Sequence, residues 1–282
     1  MLRPWRSVAV VSCIALAGCV VVPERQHALV LEPDGTVAQR QMLCRDGADG
    51  GVTAADALDP RAVRIASWNL HKQGDAGWEA ELGRLIAASD VLLLQEAGVA
   101  KELRGTIERG GLSWVLASAF EYSGAEYGVL TATRVHPASM CTLRAYEPLL
   151  GIPKAALITR FRLEGRDTTL AVANLHSINF APGTGEYRAQ LDAIADALAA
   201  HRGPIVFAGD FNIWNDAREK AVREVMSRLS LVPVAFAADE RRRFMGRVFD
   251  WIYARDAEVV TASSWAVTSS DHNPLTATLR MR

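Results

Sequence analysis

Six short segments of this 282-residue chain end an apolar run on side chains that bind cations or move protons. They are Asn69 in SWNLHK, Glu96 in LLLQEA, Asn174 and His176 in NLHSIN, Asp210 and Asn212 in GDFN, Asp250 in VFDWIY, and Asp271 with His272 in SDHNP. A buried strand delivers its last side chains to the rim of a sheet, while the apolar residues before them fix their position. Asn, Glu and Asp together offer the neutral and anionic oxygens that suit a hard cation such as Mg²⁺ or Mn²⁺. His176 and His272 add groups that gain or lose protons near neutral pH. The chain lacks a Gly-rich P-loop, a GxGxxG fingerprint, a GxSxG elbow and HExxH, and beyond its first 19 residues it has no close cysteine pair for zinc. Each segment alone also reads as an ordinary strand end or turn. In combination they fit metal-assisted hydrolysis of a phosphoester.

The elements that must carry these residues are readable from hydrophobic periodicity. Strands are expected over 63–70, 91–95, 114–119, 128–133, 155–161, 170–176, 205–208, 248–253, 259–265 and 274–279, with 91–95 buried on both faces because its apolar run is continuous. Helices are expected over 78–88, 186–201 and 216–229, the second with Leu191, Ile194, Ala195 and Leu198 on one face. Many strands punctuated by helices over about 220 residues predict an α/β (α+β) domain of two packed sheets covered by helices. Residues 19–60 are rich in turn residues, including Asp34-Gly35, Gly50-Gly51 and Asp59-Pro60, and read as a tether with one short hairpin around Asp34-Gly35.

Composition narrows the partners. Half of the residues are hydrophobic, which supports a sizeable core, and 31 Lys+Arg against 32 Asp+Glu leave a formal net charge of -1. Bulk positive charge is therefore not the means of gripping nucleic acid. Arg241, Arg242, Arg243 and Arg247 form the one dense basic cluster, either a solvated surface or a phosphate contact beside the Asp250 strand. His71 and Lys72 follow Asn69 and are further candidates for phosphate contact. Trp68, Phe211, Trp214 and Trp251 flank the candidate positions and read as core, and His27, His136 and His201 as structural.

The N-terminus has the layout of a secretory leader: Arg3 and Arg6, then the apolar run SVAVVSCIALAG over 7–18. Leu16-Ala17-Gly18-Cys19 resembles the lipobox of bacterial lipoproteins, in which the cysteine is acylated and becomes the mature terminus. Residues 1–18 would then be a signal peptide, 19–60 a lipidated tether and 61–282 the catalytic domain. Loss of Arg3 and Arg6 would take the net charge from -1 to -3. Acyl chains on Cys19 would hold the protein in the cell envelope, and Val20 in place of Asp favours the outer membrane. Cys44 and Cys141 remain in a compartment where disulfides persist, either bridged or as separate thiols.

With WNLHK, LLLQEA, EPLL and KAAL, NLHSINF, AGDFN, DERRRF and SDHNPL in this order, the stretch from about Arg61 to Arg282 resembles the endonuclease/exonuclease/phosphatase superfamily. This deoxyribonuclease I-like superfamily includes nucleases, sphingomyelinases and inositol polyphosphate phosphatases, and within it the likeness is to bacterial YafD-like proteins. The resemblance implies a four-layer α/β/β/α sandwich. It implies a divalent cation, Mg²⁺ or Mn²⁺, at Asn69 and Glu96 with Asp271 near it. It assigns His176 to the scissile phosphate, Asp210 and Asn212 to the attacking water and a phosphate oxygen, and Asp250 to pairing with the essential His272. Either Asp210 or His272 serves as the general base.

The expected function is a metal-dependent phosphodiesterase, an envelope-anchored nuclease first, and monomeric. A phospholipid head group is the alternative substrate, favoured by the anchor, although no long apolar hairpin of a lipid-inserting enzyme is visible. A catalytically silent envelope binding protein is the alternative of another class.

Overall fold

The computed structural model describes residues 20–44 and 56–282. The leader and the acylation candidate Cys19 therefore lie outside the described residues. In chain order the elements are β1 (Val20–Val21), β2 (Ala28–Leu31), β3 (Val37–Arg40), β4 (Val63–Asn69), α1 (Trp78–Ala88), β5 (Val91–Gly98), α2 (Lys101–Arg109), β6 (Ser113–Tyr122), β7 (Ala125–Thr133), β8 (Ser139–Tyr146) and β9 (Pro153–Arg162). The second half adds β10 (Thr169–His176), α3 (Gly185–Ala199), β11 (Ile205–Asp210), α4 (Asp216–Arg228), β12 (Val232–Pro233), β13 (Arg243–Phe244), β14 (Arg247–Val248), β15 (Asp250–Arg255), β16 (Ala257–Ser264) and β17 (Leu275–Met281).

The larger sheet runs β16-β17-β4-β5-β7-β6-β2-β3, with β1 also on β6, and the smaller runs β12-β15-β11-β10-β9-β8. Their facing sides close over one apolar layer that includes Ile65, Leu93, Val172, Val206, Ile252 and Leu275. On the outer side of the larger sheet, Trp78, Leu82 and Leu85 of α1 pack against Trp68 and Leu92. On the outer side of the smaller, Tyr187, Leu191 and Ile194 of α3 pack with Val222 and Val225 of α4 over Phe207. The expected four-layer α/β/β/α sandwich is the observed one.

Each sheet has a parallel pair at its centre joined through a helix, β4-α1-β5 and β10-α3-β11. Both pairs point their C-terminal ends at the same rim, so Asn69 and Glu96 face His176 and Asp210 across the sandwich. A polar clip crosses the apolar layer just below. Gln95 Nε2 donates to Asn174 Oδ1 (2.7 Å), and Asn174 Nδ2 donates to the carbonyls of Leu130 (2.9 Å) and Leu94 (3.3 Å). Asn174, a candidate for chemistry in the sequence, thus fixes the spacing of the two sheets.

The tether reading of 19–60 needs correction over its described part. Ala28–Leu31 buries Ala28 and Val30, pairs with β6, and turns at Asp34-Gly35 into β3, so the expected hairpin extends the larger sheet. Turn-rich composition masked a strand of only four residues, too short for periodicity to reveal. β8, whose apolar residues are interrupted by Ser139, Thr142 and Arg144, and α2, which buries only Leu103 and Ile107, also lie outside the expected elements.

Cys44 and Cys141 form a disulfide across 97 residues of sequence, tying the segment after β3 to β8 of the opposite sheet. A cross-link of that span removes much of the unfolded chain's freedom. Cys44→Ala/Cys141→Ala is expected to lower stability by about 3–5 kcal/mol. The check is the urea midpoint of the oxidised protein against the double variant, and equal midpoints would refute a stabilising bridge.

Candidate active site

Local backbone features aim the rim side chains. β5 carries a bulge between Leu94 and Ala97, and Glu96 there has a φ of 49°, which turns its carboxylate out of the strand's alternation and into the cleft. Asn212 (φ 45°) and the consecutive His71, Lys72 and Gln73 (φ 46–57°) are also left-handed. Such backbone is costly for residues with a Cβ and clusters at functional sites.

The structure brings together seven of the eight site residues expected from the sequence. Asn69 Nδ2 donates to Asp210 Oδ2 (3.1 Å), and the Asn212 amide donates to Asp210 Oδ1 (3.0 Å). His176 Nε2 lies 3.6 Å from both Glu96 Oε1 and Asp210 Oδ2. His272 Nδ1 is 2.7 Å from Asp250 Oδ2, and Asp250 sits beside Asp210 in the β11–β15 ladder. Asp271 is the outlier. It is exposed on the outer rim, 3.8 Å from His71 Nδ1 and 4.0 Å from His272 Nε2.

Burial and neighbouring charge set the protonation states. Burial works against ionisation of Glu96, but the charge that His176 would carry if protonated and the charges of Lys72 and Lys154 outweigh it and hold its carboxyl below the usual range. Burial, with the Lys154 ammonium, pushes His176 well below its usual value, so the ring is neutral and the cations that keep Glu96 ionised are the two lysines. Burial raises Asp210 to about 6, helped by Asp250 and opposed by His272. For His272 burial pulls downward, yet the charge and hydrogen bond of Asp250 overcome it and raise the imidazole to about 10.

Two lysines complete the site. Lys72 Nζ pairs with Glu96 Oε2, and Lys154 Nζ donates to His176 Nε2 (2.9 Å). Lys154 was not singled out in the sequence, because a lysine opening an apolar strand looks like a solvated end. Burial lowers its pKa, while Glu96, Asp210 and Glu147 support its charge. A narrow cleft of about 40 Å³ opens here between Lys72, Glu96, Phe120, Tyr127, Lys154 and His176.

An outer ring of contacts holds these groups. Trp68 Nε1 donates to the His272 carbonyl (3.0 Å), and Ser270 Oγ donates to the Asn69 carbonyl (2.7 Å), pinning the His272 loop to β4. Buried Arg218 donates to the carbonyls of Ile178, Asn212 and Asn179 (2.8–3.0 Å) and stacks over Tyr187. The loops after His176 and Asp210 are thereby tied together. No sequence signal marks Arg218, which reads as an ordinary charge in a helix.

The arginine cluster is occupied internally. Arg241 is sandwiched between Phe236 and Trp251 and pairs with Asp239 (2.8 Å), Arg243 shares Asp239 (3.3 Å), and Arg247 pairs with Glu219 (2.7 Å) and Asp216. Arg242 donates to the Val267 carbonyl (3.3 Å).

Among the described residues no three His, Cys, Asp or Glu side chains form a ready-made metal cluster. The donor chemistry nevertheless fits a hard cation. Glu96 is ionised and already attracts an ammonium, and the Asn69 amide oxygen is engaged only by the His71 N–H (3.0 Å) among the hydrogen bonds seen.

The sequence pattern described as the Endonuclease/Exonuclease/phosphatase family matches residues 66–272. A UPF0294 protein of Vibrio parahaemolyticus serotype O3:K6 is 36% identical over 258 residues, covering 90% of this chain and 88% of that protein. One of Yersinia pseudotuberculosis serotype O:1b is 39% identical over 257 residues, covering 90% and 98%. The human Nocturnin catalytic domain with bound sulfate shares the fold, with a TM-score of 0.61 at 18% identity over 79% of this chain and 96% of that one.

Proposed function

The chain belongs to the Endonuclease/Exonuclease/phosphatase family, and from that premise we propose that it is a divalent-metal-dependent phosphodiester hydrolase, monomeric and lipid-anchored in the bacterial envelope through Cys19. The leader layout and LAGC support the anchor, and Val20 supports the outer membrane. The observation that carries the catalytic reading is the convergence of Glu96, Asp210 and the Asp250–His272 pair on one rim.

Enzymes of this family generally depend on a divalent metal, and Mg²⁺ or Mn²⁺ here would neutralise a phosphate oxygen and the leaving oxygen. Glu96 and Asn69 would hold it, with Asp271 approaching from the outer rim and Lys72 giving up its pairing with Glu96. Lys154 and neutral His176 would contact a phosphoryl oxygen and hold the ester in line. Asp210, oriented by Asn69 and the Asn212 amide, is placed to orient the attacking water. With Nδ1 taken by Asp250, His272 offers Nε2 to the charge that develops on the phosphoryl group.

Nucleic acid and phospholipid head groups both supply the phosphodiester. The internal pairing of Arg241, Arg243 and Arg247 favours the head group, because a polynucleotide needs several free cations along its backbone.

The test uses the chain from Val20, which carries every described element. It is assayed on bis(p-nitrophenyl) phosphate, DNA, RNA and phospholipid, with Mg²⁺, Mn²⁺ or a chelator. Turnover is expected only with metal, and Glu96→Ala is expected to cost about a hundredfold or more. Metal-independent turnover, or none on any substrate, would sink the proposal, the latter favouring a silent binding protein.

A further inference from the structure

We propose that the catalytic mouth is also the surface by which the protein docks on a phospholipid bilayer. Strand direction places Val20, the first described residue, there. Val20 pairs with Tyr122, the last residue of β6, and the adjoining β7 carries Tyr127 and Gly128 into the cleft beside Glu96. Arg144, near the end of β8, donates to the carbonyls of Pro23 (2.8 Å) and Glu24 (3.4 Å), which holds this stretch at the same end. The chain before Val20, with Cys19 adjacent and the apolar run 7–18 ahead of it, therefore joins the body at the mouth.

The same end carries the exposed apolar surface. Of ten large apolar side chains exposed among the described residues, only Val232, Val259 and Val260 lie away from this rim. The most exposed on it are Met245 (84%), Leu149 (66%) and Leu150 (56%). Met245 and Phe244 occupy the tip of the β13–β14 hairpin, Leu149 and Leu150 the turn between β8 and β9, and Phe180 the loop after His176.

These three short loops are bound into one ledge. Buried Glu147 accepts from the amides of Asn179 (2.6 Å) and Phe180 (2.7 Å), Trp214 Nε1 donates to Asn179 Oδ1, and the Trp214 ring packs on Phe244 at 5.2 Å. The apolar surface is thus assembled from separate loops, where the sequence shows no single long apolar hairpin. Fixed apolar side chains standing in water gain free energy on entering a lipid interface.

The occupant is a bilayer because, on the anchor reading from which this choice proceeds, the lipidated Cys19 would leave the body beside Val20, at the same end as this ledge. One residue spans at most about 3.6 Å, so an anchor at Cys19 leaves the body no slack to turn its mouth away. The phosphoester within reach is then one borne at the membrane surface, a consequence that rests on the hydrolase reading, whereas the docking itself does not.

The experiment mixes the chain from Val20, without its anchor, with vesicles of equal parts phosphatidylethanolamine and phosphatidylglycerol, and measures co-sedimentation. The wild type is expected to sediment with the vesicles. Leu149→Ser/Leu150→Ser and Phe244→Ser/Met245→Ser are each expected to weaken the apparent Kd by about tenfold or more, with Val259→Ser/Val260→Ser unchanged. Unchanged melting temperatures, and unchanged turnover of soluble bis(p-nitrophenyl) phosphate, separate lost docking from misfolding. Wild type left in the supernatant, equal losses in all three pairs, or a rim-dependent dimer in the absence of vesicles would overturn the docking. Vesicle binding without turnover would instead overturn the hydrolase reading and leave the docking standing.

Discussion

Replacing His272 by alanine is expected to lower kcat on a soluble phosphodiester by about a thousandfold, the range set by loss of a positioned imidazole together with charge stabilisation. The Asp250 carboxylate holds Nδ1 at 2.7 Å and raises the ring to about 10 against the pull of burial, so the resting site contains an imidazolium. Asp250→Asn keeps an acceptor of nearly the same shape and removes the charge, and is expected to cost about a hundredfold. Because Asp250 acts through His272, the double variant should be no slower than His272→Ala alone. Additive losses in that cycle would show that Asp250 has a role of its own, and near-wild-type turnover by His272→Ala would remove the imidazole from the chemistry. Melting curves accompany each assay, since truncating His272 leaves a buried carboxylate without its partner.

Gly209→Ala is expected to be among the most damaging single methyl additions at the described glycines. Gly209 immediately precedes Asp210 in β11, with a φ of 135° and Leu175 as its partner in β10. A Cβ would stand 2.0 Å from the Leu175 carbonyl oxygen and 2.9 Å from the Leu175 backbone nitrogen and carbon, none of which can swing aside. The parallel pair must part where it presents His176 and Asp210. Backbone strain and overpacking of about 1–3 kcal/mol each give an expected loss of about 2–6 kcal/mol. Turnover of the fraction that remains folded should also fall, because the two catalytic strand ends move apart. Gly83→Ala is the counterpart on an exposed face of α1, where a Cβ meets nothing within 4 Å, and is expected to gain about 0.5–1 kcal/mol. Urea midpoints of the two variants provide the check. A Gly209→Ala protein as stable and active as wild type would mean that the strands can yield at this point.

Asn69, His176 and Asp210 were legible because each closes a buried strand, whereas Asp250 opens β15 and His272 sits in the loop before β17. A continuous run such as Val91–Leu94 reads as a strand enclosed on both faces, and the polar residues that end it then emerge at an edge. Helix α1 appears with the bounds its periodicity predicts, since Trp78, Leu82, Leu85 and Ile86 mark one face. Arg218 and Lys154 were not legible, because their roles come from what lies over them in space. Arg241 to Arg247 were legible as a charge cluster but not as to its use. Asp216 and Glu219 of α4 pair with Arg247, contacts that linear spacing does not reveal, while Asp239 in the same segment pairs with Arg241 and Arg243.

By itself the sequence determined the order of the strands that bear the candidate site and, through its resemblance to a family, the four-layer architecture and the class of chemistry to expect. Local physics suffices for the elements, since periodicity, turn residues and donor types act over a few residues at a time, and the four-layer arrangement is what the resemblance implies. Only the tertiary structure decided that the segment after the leader is an edge of the sheet, that Cys44 and Cys141 are joined, and that Lys154 stands against His176. It also decided that Val20 and the exposed apolar loops share the end that carries the candidate site. Those facts depend on pairs as far apart as Pro23 and Arg144, 121 residues along the chain, and such contacts are set by how the two sheets pack and not by any local pattern.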